Sequence, residues 1–303
     1  MTPPPRAAAV TVGIPFLDAG ESLEEAVRSV FAQTRPDWRL ILVDDGSADG
    51  SLERVRRIED ARVRVLSDGE NRGLPSRLNQ IAGLAETPWL ARMDADDVMH
   101  PDRLEAQVRF LDEEDGTDVV ASGVYGIDRR GRVLSVRESG PLDTDPARVL
   151  FGPGLVVHPT VTGRTEWFRA HPYDEFRHRT EDRELWCRTC VESRFRRLAR
   201  PLLFYREDSG GDRWAFARKY WRTVGELRSL YRSYGPALVG RTATELRVAG
   251  LYGKALIHTL AAALSLQDKL LARRGRRPGE EERRAAEGIL RAVRKTEVPG
   301  WDP

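Results

Sequence analysis

Apolar residues in the first 125 positions form short runs that alternate with amphipathic segments. Val10, Val12 and Ile14 lie on one face of a strand that ends at Pro15. Further predicted strands cover 40–43, 63–66, 89–93 and 119–121, and the predicted helices between them cover 22–31, 51–58, 75–85 and 101–111. Strands and helices in alternation predict an α/β fold with a parallel sheet.

The pattern changes after Asp128. Residues 141–180 are rich in proline, glycine and polar side chains, and they are followed by a predicted helix over 182–191 and a strand over 201–205. Helical spacing then predicts three helices, roughly over 214–234, 237–272 and 280–295. We place a domain boundary in the segment 208–212, which separates a first domain (residues 1–210) from a helical C-terminal region (residues 211–303).

Acidic residues gather where the predicted strands end. Asp18 follows the first strand, Asp44 and Asp45 follow the second, and three aspartates fall within 94–97 after the fourth. Parallel sheets bind ligands at the carboxyl ends of their strands. Helix capping explains one aspartate in each loop, but it does not explain a pair and a triplet. The spacing therefore predicts a binding site along this edge.

Composition narrows the class of protein. The chain has 303 residues, 40% of them hydrophobic, which excludes a wholly disordered protein. A net charge of +2 argues against a dedicated nucleic-acid binder, and two cysteines cannot form a disulfide framework. Residues 1–6 lack the apolar core of a signal peptide, and no stretch reaches the ~20 apolar residues of a membrane span. We expect a cytoplasmic protein.

An ordered set of motifs resembles the family 2 glycosyltransferases. The motifs lie at 10–18, 41–47, 70–73, 91–97 and 181–186, and the resemblance covers about residues 8–205. It implies a GT-A fold, a Rossmann-like and mostly parallel sheet flanked by helices, here with a C-terminal helical extension. It also implies a nucleotide-sugar half (about 8–125) and an acceptor half (about 126–210).

Asp94 and Asp96 form an Asp-x-Asp pair. In extended backbone, residues two apart point the same way, so both carboxylates can hold a hard divalent cation such as Mn²⁺ or Mg²⁺. The resemblance makes Asp96 the direct ligand and places Asp94 nearer the ribose or a metal-bound water. Asp97 has an alternative role, as a cap for the helix predicted to begin at Pro101.

The resemblance also implies the nucleotide-binding residues. Asp45 matches the residue that accepts a hydrogen bond from the base, as uracil, thymine or guanine allows. The tyrosine that usually contacts the nucleoside is absent, and Phe16 stands there, where it packs on the nucleoside or in the core. UDP, dTDP and GDP therefore stay open. The remaining candidates in these loops are Pro15, Asp18, Gly46 and Asp94.

Two arginines, Arg72 and Arg77, lie in or just after the loop 70–73. Guanidinium groups bind phosphate well, which makes both candidates for the diphosphate. Only four of the 49 basic residues are lysine, so arginine is abundant throughout the chain. A solvated surface role is the alternative for either residue.

The acceptor half carries the candidate base. An inverting transferase needs a group that removes the proton of the acceptor hydroxyl. The resemblance assigns this role to Asp182, with Glu181 as its competitor. His158 and Trp186 are candidates for acceptor contact, and for both the alternative is a structural role in the core.

Together with the resemblance, these observations predict an inverting, metal-dependent, non-processive glycosyltransferase, whose acceptor is a polysaccharide, a lipid-linked precursor or a secondary-metabolite glycan. Processive relatives carry membrane spans and a Gln-x-x-Arg-Trp motif. Here Arg213-Trp214 follows Gly210-Gly211-Asp212, so the glutamine is missing. The alternatives are a sugar-1-phosphate nucleotidyltransferase, for which the loop 14–20 lacks a Gly-rich phosphate loop with lysine, and a non-catalytic sugar-binding relative.

The segment 241–277 combines eight basic with two acidic residues and an apolar stripe. The stripe contains Leu246, Ala249, Leu256, Leu260, Ala263, Leu264, Leu270 and Leu271. A basic amphipathic helix lies on an anionic membrane or packs on its own catalytic domain, and the sequence leaves both open.

Overall fold

The computed structural model describes residues 8–138, 142–207, 213–266 and 275–301. In chain order the strands are β1 (Val10–Phe16), β2 (Trp38–Asp44), β3 (Val63–Leu66), β4 (Trp89–Arg92), β5 (Val98–Met99), β6 (Val119–Ile127), β7 (Val133–Arg137), β8 (Thr162–Arg164) and β9 (Phe195–Arg206). The helices are α1 (Gly20–Phe31), α2 (Ser51–Val55), α3 (Leu74–Leu84), α4 (Arg103–Glu113), α5 (Pro146–Phe151), α6 (Thr165–Ala170), α7 (Glu181–Thr189), α8 (Arg213–Val239), α9 (Arg241–Ala263) and α10 (Glu280–Arg294). A short 3₁₀ turn covers His158–Thr160.

The strands form one sheet in the order β3-β2-β1-β4-β8-β6-β9-β5, with β7 paired to β6. Strands β1 to β4 are mutually parallel, as the alternation of strand and helix predicts. Their carboxyl ends meet along one edge because every connection between them crosses in the same direction. This edge carries the aspartates identified in the sequence.

The acceptor half differs from the predicted pattern. A two-residue strand, β5, precedes α4, so the strand predicted at 119–121 is the sixth, and it continues to Ile127. Strand β8 comes from the segment predicted to be irregular and lies between β4 and β6, antiparallel to both. Strand β8 has only three residues, which is too short for the alternation of apolar and polar side chains that predicts a strand. A Cβ on Gly163 of β8 would stand 2.7 Å from the Asp118 carbonyl oxygen, so only glycine fits this approach.

Both faces of the parallel strands are buried. Leu40 and Leu42 point into a core with β1 and α1, whereas Ile41 and Val43 point to the opposite face and pack with α3. Successive side chains of a strand alternate between faces, so a run of four apolar residues fits a strand that is covered on both sides.

The C-terminal helices run over 213–239, 241–263 and 280–294, close to the predicted ranges, except that α9 ends at Ala263. The proposed boundary at 208–212 and Leu270 and Leu271 of the apolar stripe lie outside the described residues. The chain then returns to the first domain. Val298 is buried in the same core as β1, and the Trp301 indole Nε1 donates to the Arg54 carbonyl oxygen (2.8 Å). The division after residue 210 stays a prediction.

The apolar stripe of α9 faces solvent. Leu246, Leu256, Leu260 and Leu264 are 69, 56, 56 and 66% exposed. The buried side of α9, which packs with α8, is a different one and includes Val248, Leu251 and Ala255. Val248, Leu251 and Ala255 belong to the same core as Val119 and Trp186, so α9 does pack on its own protein, but through a side other than the predicted leucine stripe. Membrane contact by the exposed leucines stays a prediction. Within the described ranges, no helix combines the length and apolarity that a bilayer crossing requires.

Candidate active site

Asp45 anchors the loop that follows β2. Its backbone N–H donates to the Phe16 carbonyl oxygen (2.8 Å), and its Oδ1 accepts from the backbone N–H groups of Arg72 (2.8 Å) and Gly73 (3.2 Å). The Arg77 Nε–H donates to the same oxygen (2.8 Å). Through its backbone N–H and its carboxylate, Asp45 joins the end of β1 and the loop after β3 to the loop after β2. Contact of Asp45 with a nucleotide base stays a prediction.

The first two loops are fixed around Asp45. Pro15 is buried, and Phe16 is only 3% exposed and packs in the core with α1, as its core alternative predicts. Contact of Phe16 with the nucleoside stays a prediction. Asp18 is exposed, and its Oδ1 accepts from the Ala48 N–H (2.8 Å). Gly46 has φ +87°, and a Cβ at this position would lie 3.2 Å from the Asn71 backbone nitrogen. Both features favour glycine over any other residue here.

Arg77 differs from both roles considered for it. The side chain is 1% exposed, so it is not a solvated surface residue. Besides Asp45, its guanidinium donates to Asp68 (2.6 and 3.1 Å), to the Glu70 carbonyl oxygen (2.5 Å) and to Gln80 (3.0 Å). With these donors in use, Arg77 positions Asp45 and is not placed to clamp a phosphate. Hydrogen bonds from Arg77 hold the pKa of the Asp68 carboxyl far below its usual range.

Arg72, by contrast, is half exposed and pairs with Asp68 (3.0 Å) and Glu70 (3.1 Å) at the surface of the same loop. Exposed pairs of this kind exchange readily with solvent. Arg72 thus matches the surface alternative in this structure, and phosphate contact by Arg72 stays a prediction.

Three aspartates converge after β4. Each of Asp94, Asp96 and Asp97 offers a carboxylate oxygen, and these oxygens lie within 4.8 Å of one another. Asp96 is exposed, whereas Asp97 is 1% exposed. Oxygen ligands from several carboxylates suit a hard divalent cation. The cluster includes both predicted ligands, and it adds Asp97.

Asp97 is not a helix cap. Helix α4 begins at Arg103, and the Asp97 Oδ1 accepts instead from the backbone N–H of Arg206 in β9 (2.9 Å). Its Oδ2 is buried and, among the described residues, has no hydrogen-bond partner. Burial, followed by the charges of Asp94 and Asp96, raises the pKa of Asp97 well above its ordinary value. An orphaned, buried carboxylate oxygen at this point fits a bound cation.

Arg92 links the aspartates to the acceptor half. It is 4% exposed, and its two terminal nitrogens donate to the two carboxylate oxygens of Asp94 (2.9 and 2.5 Å). The positive charge of Arg92 also lowers the pKa values of Glu181 and Asp182, against the larger effect of burial. One buried guanidinium therefore acts on both acidic groups of the site.

Glu181 and Asp182 form the first turn of α7. Glu181 is 6% exposed, and its Oε2 is buried without a hydrogen-bond partner in the described part of the chain. Burial, together with the negative charge of Asp182, raises the pKa of Glu181 to about 7. The Asp182 Oδ1 accepts from the Arg183 N–H (2.7 Å), and burial raises its pKa as well. The pair thus holds at least one proton near neutral pH more readily than free carboxylates do.

The two predicted acceptor contacts are part of the core. Trp186 is fully buried between Trp167 and Phe195, as its core alternative predicts, and acceptor contact by Trp186 stays a prediction. His158 is 8% exposed, and its Nε2 hydrogen-bonds the Tyr173 hydroxyl (2.9 Å). Burial and the charge of Arg92 hold the pKa of His158 well below its ordinary value. His158 is thus held in the core beside Tyr173, and acceptor contact by His158 stays a prediction.

Arg92 and Arg206 contribute to the site but are not among the candidates predicted from the sequence. Arg92 stands two residues before Asp94. Residues two apart in an extended strand point to the same face, so the spacing could have predicted that these two side chains are neighbours. Arg206 offered no such signal, because its backbone reaches Asp97 only through the pairing of β9 with β5.

A family model described as Glycosyl transferase family 2 matches residues 11–182, which is more than half of the chain. The chain belongs to glycosyl transferase family 2. Within this family it is similar to EpsE of Bacillus subtilis, which is named a glycosyltransferase, with 31% identity over 208 residues (66% of this chain, 73% of EpsE). It is also similar to the uncharacterized glycosyltransferase MJ1057 of Methanocaldococcus jannaschii, with 28% identity over 61% of this chain and 65% of MJ1057.

Solved structures show the same fold. The mannosyltransferase PcManGT of Pyrobaculum calidifontis, in complex with GDP-Man and Mn²⁺, superposes with a TM-score of 0.58 at 15% identity, over 95% of this chain and 86% of that one. TarS of S. aureus in complex with UDP-GlcNAc gives 0.55 at 15% identity, over 95% and 90%. The expected GT-A fold with a C-terminal helical region is confirmed.

Proposed function

We propose that this family 2 glycosyltransferase moves one sugar from a nucleotide diphosphate sugar to an acceptor hydroxyl, with inversion at the anomeric carbon and without processive elongation. The observation that carries the proposal is the convergence of Asp94, Asp96 and Asp97 beside the loops anchored by Asp45, with Arg92 between this cluster and the pair Glu181–Asp182. UDP-GlcNAc and GDP-Man in the names of similar structures support a nucleotide-sugar donor.

The proton balance assigns the base. The acceptor hydroxyl loses its proton to a carboxylate while its oxygen attacks the anomeric carbon, and the bond from that carbon to the diphosphate oxygen breaks. Of the two neighbouring carboxyls, Glu181 retains a proton up to about pH 7. We therefore assign the base to Asp182, and Glu181 is the neutral neighbour that keeps the local charge low.

Asp94, Asp96 and Asp97 would hold a divalent cation, in agreement with Mn²⁺ in the name of the PcManGT complex. When bound, such a cation neutralises charge on the departing nucleoside diphosphate. Hydrogen bonds from Arg92 orient Asp94, and the backbone of Arg206 fixes Asp97. The protein thus prepares the acidic site from two separate parts of the chain.

The acceptor class follows from the relatives. TuaG of Bacillus subtilis is named for teichuronic acid biosynthesis, and ExoO of Rhizobium meliloti is named for succinoglycan biosynthesis. We propose a growing polysaccharide or a lipid-linked precursor as the acceptor.

The decisive experiment incubates the protein with UDP-, dTDP- and GDP-sugars, with Mn²⁺ or with EDTA, and measures release of the nucleoside diphosphate. We expect release that needs the metal and is lost in Asp96→Asn. Asp102→Asn is the matched control, because Asp102 pairs with Arg200 at the surface and should keep the wild-type rate. Metal-independent release, or an active Asp96→Asn, would refute the metal site.

The same assay separates the alternatives. A nucleotidyltransferase would release pyrophosphate from a nucleoside triphosphate and a sugar 1-phosphate, and a non-catalytic relative would bind without forming product. Once an acceptor is found, the NMR coupling constant of the new anomeric proton tests inversion.

The exposed face of α9 favours a peripheral membrane contact as a second feature. We define the α9 face as Leu246, Leu256, Leu260 and Leu264. Arg247 and Lys254 are exposed on the same helix, seven residues apart. Apolar side chains flanked by basic ones suit the surface of an anionic bilayer, where a lipid-linked acceptor would be held.

A further inference from the structure

Arg206 holds the aspartate loop (residues 94–97) with its side chain as well as with its backbone. Its Nε–H donates to the Asp96 carbonyl oxygen (2.7 Å), and its backbone N–H donates to the Asp97 Oδ1 (2.9 Å). The first bond fixes the peptide group between the two aspartates, and the second fixes the carboxylate of Asp97. Partners of this kind orient the residues that bind a metal, so Arg206 contributes to the direction of both carboxylates.

The other two nitrogens of the Arg206 guanidinium contact parts of the protein away from the aspartate loop. One donates to the Glu25 Oε2 in α1 (3.0 Å), and the other donates to the Arg129 carbonyl oxygen in the turn between β6 and β7 (3.3 Å). The Arg206 side chain is only 9% exposed. Because each of its guanidinium nitrogens contacts the protein, Arg206 is placed to hold the loop and not to bind a substrate.

Glu25 connects Arg206 to the C-terminal region. Arg294, the last residue of α10, donates to Glu25 (3.2 Å) and to the Arg130 carbonyl oxygen (3.2 Å). The Glu25 carboxylate therefore lies between two arginines that come from different elements, and 23% of its side chain is exposed. Ion pairs that are partly buried and joined in a network hold their geometry better than isolated surface pairs. We call Arg206, Glu25 and Arg294 the Glu25 network.

Apolar contacts join α10 to the end of the same loop. Val98 follows Asp97 directly and is fully buried. It belongs to one core with Phe204 of β9 and with Leu290 and Val293 of α10. Helix α10 is thus tied to the aspartate loop twice, by this core and by the ion pairs of the network.

We propose that the Glu25 network is a positioning device through which α10 holds the aspartate cluster in its cation-binding arrangement. The inference rests on the proposed function, and it adds the C-terminal region to the metal site. The residues of the network do not touch the cation themselves. They act through the backbone of Asp96 and the carboxylate of Asp97, as outer partners of metal ligands do.

The test measures binding of Mn²⁺ to the full chain without substrate, from the loss of the free Mn²⁺ signal in electron paramagnetic resonance. We expect Arg206→Gln to raise the Kd for Mn²⁺ about tenfold or more, because the Asp96 carbonyl oxygen and Glu25 both lose their partner. Arg206→Lys keeps the charge, but its single nitrogen cannot reach both partners, so its Kd should fall between those of wild type and Arg206→Gln.

Glu25→Gln and Arg294→Gln test the network without removing a contact to the aspartates. Each should raise the Kd for Mn²⁺ by a smaller factor, about three- to tenfold. If Glu25 acts through Arg206, Glu25→Gln should change the Kd little in a protein that already carries Arg206→Gln. These two variants also decide the question if Arg206→Gln does not fold.

Glu24→Gln is the matched control. Glu24 is the neighbouring glutamate of α1 and pairs with Arg54, where both side chains are about one-third exposed or more. This variant should keep the wild-type Kd for Mn²⁺. Thermal unfolding of every variant in EDTA verifies that the protein is folded at the temperature of the titration, so that a change in Kd is not a loss of folded protein.

Two results would overturn the inference while the metal site stands. One is a wild-type Kd for Mn²⁺ in the folded Glu25→Gln and Arg294→Gln variants, and the other is an additive effect of Glu25→Gln and Arg206→Gln. Failure of the proposed metal site would look different, because the wild-type protein itself would then bind no Mn²⁺, and the inference would fall with it.

Discussion

Arg92 holds Asp94 with both terminal nitrogens of its guanidinium group, at 2.9 Å and 2.5 Å. The Arg92 side chain is buried, with 4% of its surface exposed, whereas 30% of the Asp94 side chain is exposed. Asp94 is thereby oriented while its carboxylate remains accessible. A bidentate pair fixes the carboxylate plane in a way that a single contact does not.

We predict that Arg92→Gln lowers turnover more than tenfold and raises the Mn²⁺ concentration needed for half-maximal activity, because Asp94 loses its orientation. Arg92→Lys, which keeps the charge but not the paired geometry, should fall between wild type and Arg92→Gln. A Mn²⁺ titration of activity gives the readout, with thermal unfolding as the control for lost stability. An unchanged Mn²⁺ dependence in Arg92→Gln would mean that Asp94 takes no part in binding the metal.

Asp182→Asn should reduce kcat by about 10²–10⁴-fold and change donor affinity less than about twofold, since the base acts on the acceptor in the transition state. Glu181→Gln should retain most activity at pH 7, because Glu181 is partly protonated there. Steady-state kinetics and donor titration of both variants decide the assignment. An inactive Glu181→Gln beside an active Asp182→Asn would exchange the two roles.

The stability of the protein should depend on the protonation of Glu181. Its folded-state pKa of about 7 lies above the ordinary value of 4.5, so the folded protein favours the protonated form. This contribution is complete below about pH 4.5 and is lost as the pH rises through 7. We therefore expect Glu181→Gln to gain stability relative to wild type on going from pH 5 to pH 8.

Thermal unfolding in EDTA at the two pH values measures this difference. Glu166→Gln serves as the control, because Glu166 is 80% exposed and pairs only at the surface with Arg169. Its difference from wild type should be small and equal at pH 5 and pH 8. A Glu181→Gln difference that is the same at both pH values would contradict the assigned pKa.

Arg77 and Arg72 lie five residues apart and should behave differently. Arg77→Gln leaves Asp45 and Asp68 without their buried partner and should cost about 3–5 kcal/mol of unfolding free energy. Arg72→Gln breaks only exposed pairs and should cost about 1 kcal/mol or less. Urea unfolding of both variants provides the comparison. Similar stabilities would indicate that Arg77 is free to bind phosphate.

The α9 face should bind anionic vesicles. We expect co-sedimentation with phosphatidylglycerol vesicles at low salt, weakening as salt rises, and a loss of about tenfold or more in Leu256→Ser/Leu260→Ser. Lys254→Gln should weaken binding further. Leu134→Ser is the matched control, since Leu134 is an exposed leucine of β7 away from this face. Absence of binding at low salt, or dimer formation by the same face in sedimentation equilibrium, would discard the membrane contact.

The basic segment 241–277 also includes Arg273 and Arg274, which lie outside the described residues, and Arg276 and Arg277, which lie within them. Of the others, Arg276 forms ion pairs with Glu138 and Glu282. Arg276 therefore joins α10 to the end of β7, which makes it a poor probe of membrane binding. Exposed residues of α9 are therefore the better probes of membrane binding.

Much of the nucleotide-sugar half could be predicted from the sequence. The runs at 40–43 and 63–66 are parallel strands because they are short, apolar and separated by helices, which are local properties. The aspartates at strand ends follow from the same regularity, since parallel strands bring their carboxyl ends to one edge. The order of the motifs was sufficient to identify the family.

The sequence did not determine which candidate side chains are accessible. Phe16 and Trp186 stand in motif positions, yet their exposure depends on residues far along the chain that cover them. Arg77 is of a residue type that binds phosphate well, but its guanidinium donates to Asp45 and Asp68. These two aspartates come together only in the folded protein, where three loops meet. Arginine content alone does not distinguish these cases.

Tertiary structure decided the remaining features, because they depend on contacts between distant segments. Asp97 becomes part of the acidic cluster when the backbone of Arg206, 109 positions later, fixes it. Arg206 and Arg294 share Glu25 only where β9, α1 and α10 meet. Periodicity along a chain records which face of an element is apolar, but it does not record which element covers that face, and this is what separates a buried residue from one that can bind a ligand.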